Sequence, residues 1–379
     1  MRVARFSLLL ALTGCIPITT DGTGKDSASG DDTAVPEGFS LQETSTTSKR
    51  DGTFDVEVTI DDPQSVFQVV MESTNGRYTV ATEFVYNPAG NAALDWNDWY
   101  ASEESLTEAF VPGDYSAINW PIRREDGPLT AGTWTVSGAV IDSSGYYASG
   151  IDVDLHVMRR PDPDFAAGQL NVVFAYAGGL ETDAEVVRGM EAGVAYWKEI
   201  YGAYGVAVTV TYTTVDIDAA LPDTYRGVDE YEPLMEAWPD RAVLMVVGDT
   251  IGGASDVYGE AGFIGGPYYP GPASAVEISW LTHAGTNGRF SDPEIQILGE
   301  TMAHEMGHYL GLFHPVEYGW NYWDALDDTD HCSSMNVCEN DMGTNLMFPY
   351  PICYGASCPG QNLLTADQTG VTHRYVGVE

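Results

Sequence analysis

His304, Glu305, His308, Gly311 and His314 are the residues of this chain whose types and spacing do chemistry together. They read H-E-x-x-H-x-x-G-x-x-H. Two histidines four positions apart on a helix differ by about 40° around its axis, so both imidazoles face one point. Such a pair occupies two corners of a tetrahedral zinc site. Glu305 follows the first histidine, where its carboxylate reaches a water on the metal and takes its proton. At Gly311 the helix must stop and turn, because glycine enters the left-handed region without a Cβ clash. The turn returns His314 as third ligand. Three neutral ligands leave one position for water, the catalytic arrangement and not the closed structural one.

A helix must carry this motif. Ser291-Asp292-Pro293-Glu294 supplies an N-cap, a proline and first-turn acids. Ile295, Leu298 and Met302 continue the apolar stripe to His304. Glu300, one turn before His304, is expected on the solvated face. Upstream, 170–176 reads as a buried strand and Asp183 to Tyr201 as an amphipathic helix, with Val187, Met190, Val194, Trp197 and Ile200 on one face. Residues 206–215 alternate as a second strand, and 242–247 form a continuous apolar run. Strand, helix, strand and strand predict an α/β (α+β) domain with a mixed sheet, over residues 169–379.

The half before it has β texture. Residues 54–60 and 151–157 alternate with period two, and 66–71, 78–80 and 131–140 are further strands. Asn75-Gly76 is a hairpin-turn signal. Short strands separated by Gly, Asn and Asp predict an all-β sandwich over residues 38–158. Residues 159–168 contain Arg159, Arg160, Pro161 and Pro163 and read as an exposed linker whose prolines end the last strand. His156, His283, His331 and His373 have no motif around them and are expected to be structural or exposed.

The motif at 304–314 resembles that of the metzincin zinc endopeptidases. Further on, Asn345-Leu346-Met347 places a methionine in a turn; in metzincins such a methionine packs beneath the ligands without binding metal. The order of features from 295 to 376 resembles the pappalysin-like metzincins. It runs from the zinc helix through an Asp-rich segment, Asp324 to Asp330, with interleaved cysteines, to the Asn-x-Met turn and a last helix opened by Thr365-x-x-Gln368. The Thr-x-x-Gln pattern also fits a capping box. The resemblance implies a peptidase acting on protein or peptide substrates, with His304, His308 and His314 on Zn2+ and Glu305 as general base. It also implies an edge strand before the helix that pairs with extended substrate; by position this is the segment from Gly259 to Gly265, followed by Ser274 to Trp280. Pappalysin-like sequences often carry a tyrosine two residues after the methionine. Here Pro349 stands there and Tyr350 follows, leaving Tyr350 as the candidate for transition-state stabilisation. The Asp-rich segment offers hard oxygen ligands of the kind Ca2+ takes, without EF-hand spacing.

The N-terminus bears on location. A basic start (Arg2, Arg5) and a short apolar run to Leu12 form a signal peptide, and Leu12-Thr13-Gly14-Cys15 resembles a bacterial lipobox. Residues 1–15 are thus expected to be a lipoprotein signal with Cys15 lipidated, and 16–37, rich in Ser, Thr, Asp and Gly, a flexible tether. Ile16 in place of Asp favours the outer membrane or cell surface. Cys332, Cys338, Cys353 and Cys358 read as two disulfides in an exported protein, with three pairings open. The net charge of −40 excludes a nucleic-acid partner, which requires a basic surface. A second reading, of another class, is a surface adhesion or binding protein with a vestigial metal site.

Overall fold

A computed structural model describes residues 39–379 apart from 101, 162–164, 224–227, 237–241, 272–273 and 354–357. The signal segment, Cys15 and the tether lie outside the described residues. The first half forms two four-stranded antiparallel sheets. One orders its strands Ser40–Thr47, Asp152–Pro161, Ser65–Ser73 and Tyr115–Trp120; the other Thr53–Ile60, Gly132–Asp142, Tyr78–Tyr86 and Ala92–Asp95. Their inner faces meet, with the Phe67 and Trp134 rings 6.3 Å apart. The predicted sandwich is present. The hairpin at Asn75-Gly76 is not. Asn75 Oδ1 accepts from Arg77 N and makes a turn, but the strands on either side of it enter different sheets, so the turn crosses the core.

The second half is built on a five-stranded sheet ordered Val206–Thr214, Gly168–Tyr176, Val243–Gly248, Ala275–Ser279 and Gly259–Ala261. The first four run parallel and the last antiparallel. Helix Ala184–Ala203 and the motif helix Asp292–Tyr309 pack together and share a core with Val172, Phe174, Met245 and Val276. The opposite face, through Val173, Leu244 and Val246, is covered by residues including Leu221, Tyr231 and Met235. Covering on both faces explains the unbroken apolar run at 243–247.

Three expectations change here. Strand Asp152–Pro161 runs through the expected start of the linker, and Arg160 is buried (6% exposed). Its guanidinium donates to the carbonyls of His373, Tyr375 and Val376, so a charged side chain is kept inside by three acceptors from the chain's end. Ala275–Ser279 is an interior strand, paired on both sides; of the two expected segments Gly259–Ala261 is the one at an edge. Glu300 is also buried (7% exposed), accepting from Gln296 Nε2 and from the backbone N–H of Gln361.

The sandwich also grips the segment that follows the edge strand. Gln68, fully buried, donates to Gly266 O at 2.8 Å and accepts from Tyr268 N at 2.6 Å. Glu108 accepts from Ile264 N. That segment in turn satisfies the end of the motif helix, since Gly265 N and Gly266 N donate to His308 O and Tyr309 O. No helix among the described residues is long and apolar enough to cross a membrane.

Candidate metal centre

The motif helix begins as its sequence predicts. Ser291 and Glu294 form a capping box and Pro293 sits in the first turn. The helix ends at Tyr309, and Gly311 takes φ +107°, turning the chain back so that His314 faces the two helical histidines. The three Nε2 atoms stand 3.1–3.2 Å from one another. Among the described residues this is the group of three ligating side chains close enough to share a metal.

The other ring nitrogens decide what the convergence means. His304 Nδ1 lies 2.7 Å from Leu346 O, His308 Nδ1 2.7 Å from Leu312 O, and His314 Nδ1 3.0 Å from Glu317 Oε2. Each partner is an acceptor, so each Nδ1 carries the proton and each Nε2 presents a bare lone pair. Three bare lone pairs cannot hydrogen-bond to one another. They suit a cation, and nitrogens bound tetrahedrally at zinc distances would stand about 3.3 Å apart. Burial holds His304 neutral, lowering its pKa to about 3, with His314 adding to the effect. Burial likewise lowers His308 well below its usual range. The donor set fits zinc.

Glu305 follows on the same helix and lines a cavity of about 300 Å³ with His304, Glu300, Tyr258, Gly259, Phe348 and Tyr350. Burial pushes its pKa up to about 8; Glu260 on the edge strand adds to this, while the N–H of Ala261 opposes it. The acid is therefore desolvated and held beside the edge strand.

Met347 lies beneath the helix. A Cβ on Gly307 would stand 2.6 Å from Met347 Sδ, so glycine between the two helical histidines lets the methionine approach. The turn that carries Met347 is held by Asn345, whose Oδ1 accepts from Met347 N at 2.8 Å. Asn345 Nδ2 donates to Gln368 Oε1, and Gln368 closes the Thr365 capping box. The Asn-x-Met and Thr-x-x-Gln features are thus one buried unit.

Tyr350 lines the cavity, but its hydroxyl donates to Glu339 Oε1 at 2.9 Å. The cysteines pair locally, Cys332 with Cys338 and Cys353 with Cys358. In the Asp-rich segment, Asp324 is buried, accepts from Thr329 and from Leu326 N, and belongs to a short strand paired with Glu104–Ser105. Among the described residues no three carboxylates gather there. His156 stacks on Tyr269, His283 lies between Ser279 O and Thr301, and His373 faces Tyr204 O, all as structural residues. His331 stacks on Trp323. Sequence reading missed Glu317, which sits three residues beyond His314, and the carbonyls of Leu312 and Leu346; a backbone acceptor leaves no trace in residue type.

No protein-family model matches the chain. Over 123 residues it is 32% identical to the extracellular metalloprotease of Pyricularia oryzae (strain 70-15). The match takes in 27% of this chain and 41% of that protein, so the chain spans about two fifths of that relative's length. Metalloproteinase-II from Bacteroides fragilis aligns with 48% of this chain and 60% of its own, at 16% identity and a TM-score of 0.25. Xylanase10C from Cellvibrio japonicus aligns with 40% of this chain and 35% of its own, at 10% identity and a TM-score of 0.18. Overlaps at these TM-scores establish no common fold. The chain is therefore similar in part of its length to a metalloprotease and carries a histidine triad fit for a metal.

Proposed function

We propose that this chain is a zinc-dependent endopeptidase of the metzincin type, closest to the pappalysin-like family, acting on extracellular or envelope proteins. One observation carries the reading: three Nε2 lone pairs converge, and the desolvated glutamate next to the first of them lines a cavity with Gly259 of the edge strand. His304, His308 and His314 would hold the zinc. When bound, zinc polarises a carbonyl and makes its water acidic.

The remaining chemistry belongs to the chain. Glu305 accepts the proton of the attacking water on its carboxylate and returns it to the leaving amide nitrogen. The outer edge of Gly259–Ala261 offers main-chain groups to an extended substrate. Met347 and Gly307 set the floor on which the histidines rest. Residues 1–15 with Cys15, the tether 16–37, the sandwich 38–158 and the catalytic part 169–379 give a lipid-anchored enzyme held off an outer membrane or cell surface.

The test is metal content together with cleavage of casein or gelatin, with and without a chelator, on the wild type and Glu305→Gln. One zinc per chain with chelator-sensitive cleavage is expected. The variant should keep its zinc and lose about 10²–10⁴-fold in kcat. Normal cleavage by Glu305→Gln would remove Glu305 from the mechanism. A wild type that binds no zinc would sink this reading and promote the adhesion or binding-protein alternative.

A further inference from the structure

We propose that Glu317 is the positioning residue for the third metal ligand, making His314 the adjustable corner of the site; this rests on the zinc reading above. The three histidines are not oriented in the same way. His304 and His308 are fixed twice, by the helix that carries them and by backbone carbonyls at Leu346 and Leu312. His314 lies beyond the helix, after Gly311, and its Nδ1 is met by a side chain, Glu317 Oε2 at 3.0 Å.

Glu317 is itself held. Its N–H donates to Tyr322 O at 2.8 Å, and its carbonyl accepts from Trp320 N at 3.0 Å, closing a tight turn. Trp320 adopts φ +62° there, a conformation a bulky residue takes only where its surroundings impose it. The Trp320 ring packs on Tyr350, which lines the cavity beside Glu305. The turn thus anchors Glu317 to the cavity wall, and Glu317 anchors His314. A carboxylate acceptor also differs in kind from a carbonyl. It fixes the tautomer and increases the electron density that the opposite nitrogen offers a cation. His314 is therefore the ligand with the least backbone restraint and the one whose orientation depends on a side chain.

The measurement is zinc affinity of the full chain by competition with a chelator series, for the wild type, Glu317→Gln and Glu317→Ala. The visible spectrum of the Co2+-substituted forms and the metal-free unfolding midpoint are recorded alongside. Glu317→Ala should bind zinc about 10–100-fold more weakly, the usual effect of removing such a partner. Glu317→Gln keeps an acceptor oxygen without the charge and should fall between. Both should shift the Co2+ absorption, while the metal-free midpoint stays near the wild type. If the Ala chain does not fold, the Gln chain decides. Wild-type affinity and an unshifted Co2+ spectrum in a folded variant would overturn the role of Glu317 and leave the zinc reading standing. A wild type that binds no zinc would overturn both.

Discussion

Strand Thr53–Ile60 of the sandwich alternates exposed and buried positions, whereas strand Val243–Gly248 of the five-stranded sheet is buried at every position. Both are rich in β-branched or aliphatic residues, so the difference does not lie in propensity. It lies in what covers them. The sandwich strand has one face on the core and one in water. The strand of the five-stranded sheet has helices on one face and residues including Leu221, Tyr231 and Met235 on the other. The candidate metal centre lies with the second kind of strand, because a metal site needs walls on several sides. The sandwich contributes at a distance, through Gln68, Glu108 and Arg160.

The comparison breaks most sharply at the centre of the five-stranded sheet. Met245 is fully buried, and Met245→Ala should cost about 2–5 kcal/mol by urea unfolding. A loss near zero would mean that the sheet is covered less completely than described. Next comes the contact between the two halves. Arg160→Leu leaves the carbonyls of His373, Tyr375 and Val376 without this donor and should cost about 1–3 kcal/mol. An unchanged midpoint would make the sandwich an independent attachment.

A subtler effect is expected from pH. Glu277, facing the covered side of the sheet beside Tyr231, has its pKa raised to about 8 by burial. The folded chain therefore binds this proton more tightly than the unfolded one. The contribution is complete below the ordinary glutamate range, about pH 4.5, and is lost as pH rises through about 8. Glu277→Gln should flatten the decline of the metal-free melting temperature across that window; an unaltered slope would show that Glu277 does not couple folding to pH. The smallest effect belongs to the sandwich's wet face, where Thr59→Ala should change stability by about 0.5 kcal/mol or less.

Much of the fold was legible because period and capping are local. The alternation at 54–60, the apolar run at 243–247 and the capping box at Ser291 each depend on a few adjacent residues. The hairpin at Asn75-Gly76 was misread because turn chemistry reports a reversal and not which sheet receives the next strand. Glu300 and Arg160 were misread as exposed because a charge is ordinarily solvated. Only the partners from residues 361 and 373–376 show that each is accommodated inside.

By itself the sequence determined the three histidines, the helical spacing of the first two, the glutamate next to the first and the glycine that turns the chain. These follow from the 3.6-residue period and from the freedom of glycine at positive φ. Only the tertiary structure decided which nitrogen of each histidine faces inward. It did so by bringing Leu346 O, Leu312 O and Glu317 to the three Nδ1 atoms. It also decided that Tyr350 donates its hydroxyl to Glu339, that the cysteines pair locally, and that the sandwich supports the end of the motif helix. The physical reason is common to all of them. A hydrogen-bond acceptor is chosen by proximity in space, and that proximity is set by packing between segments far apart in the chain.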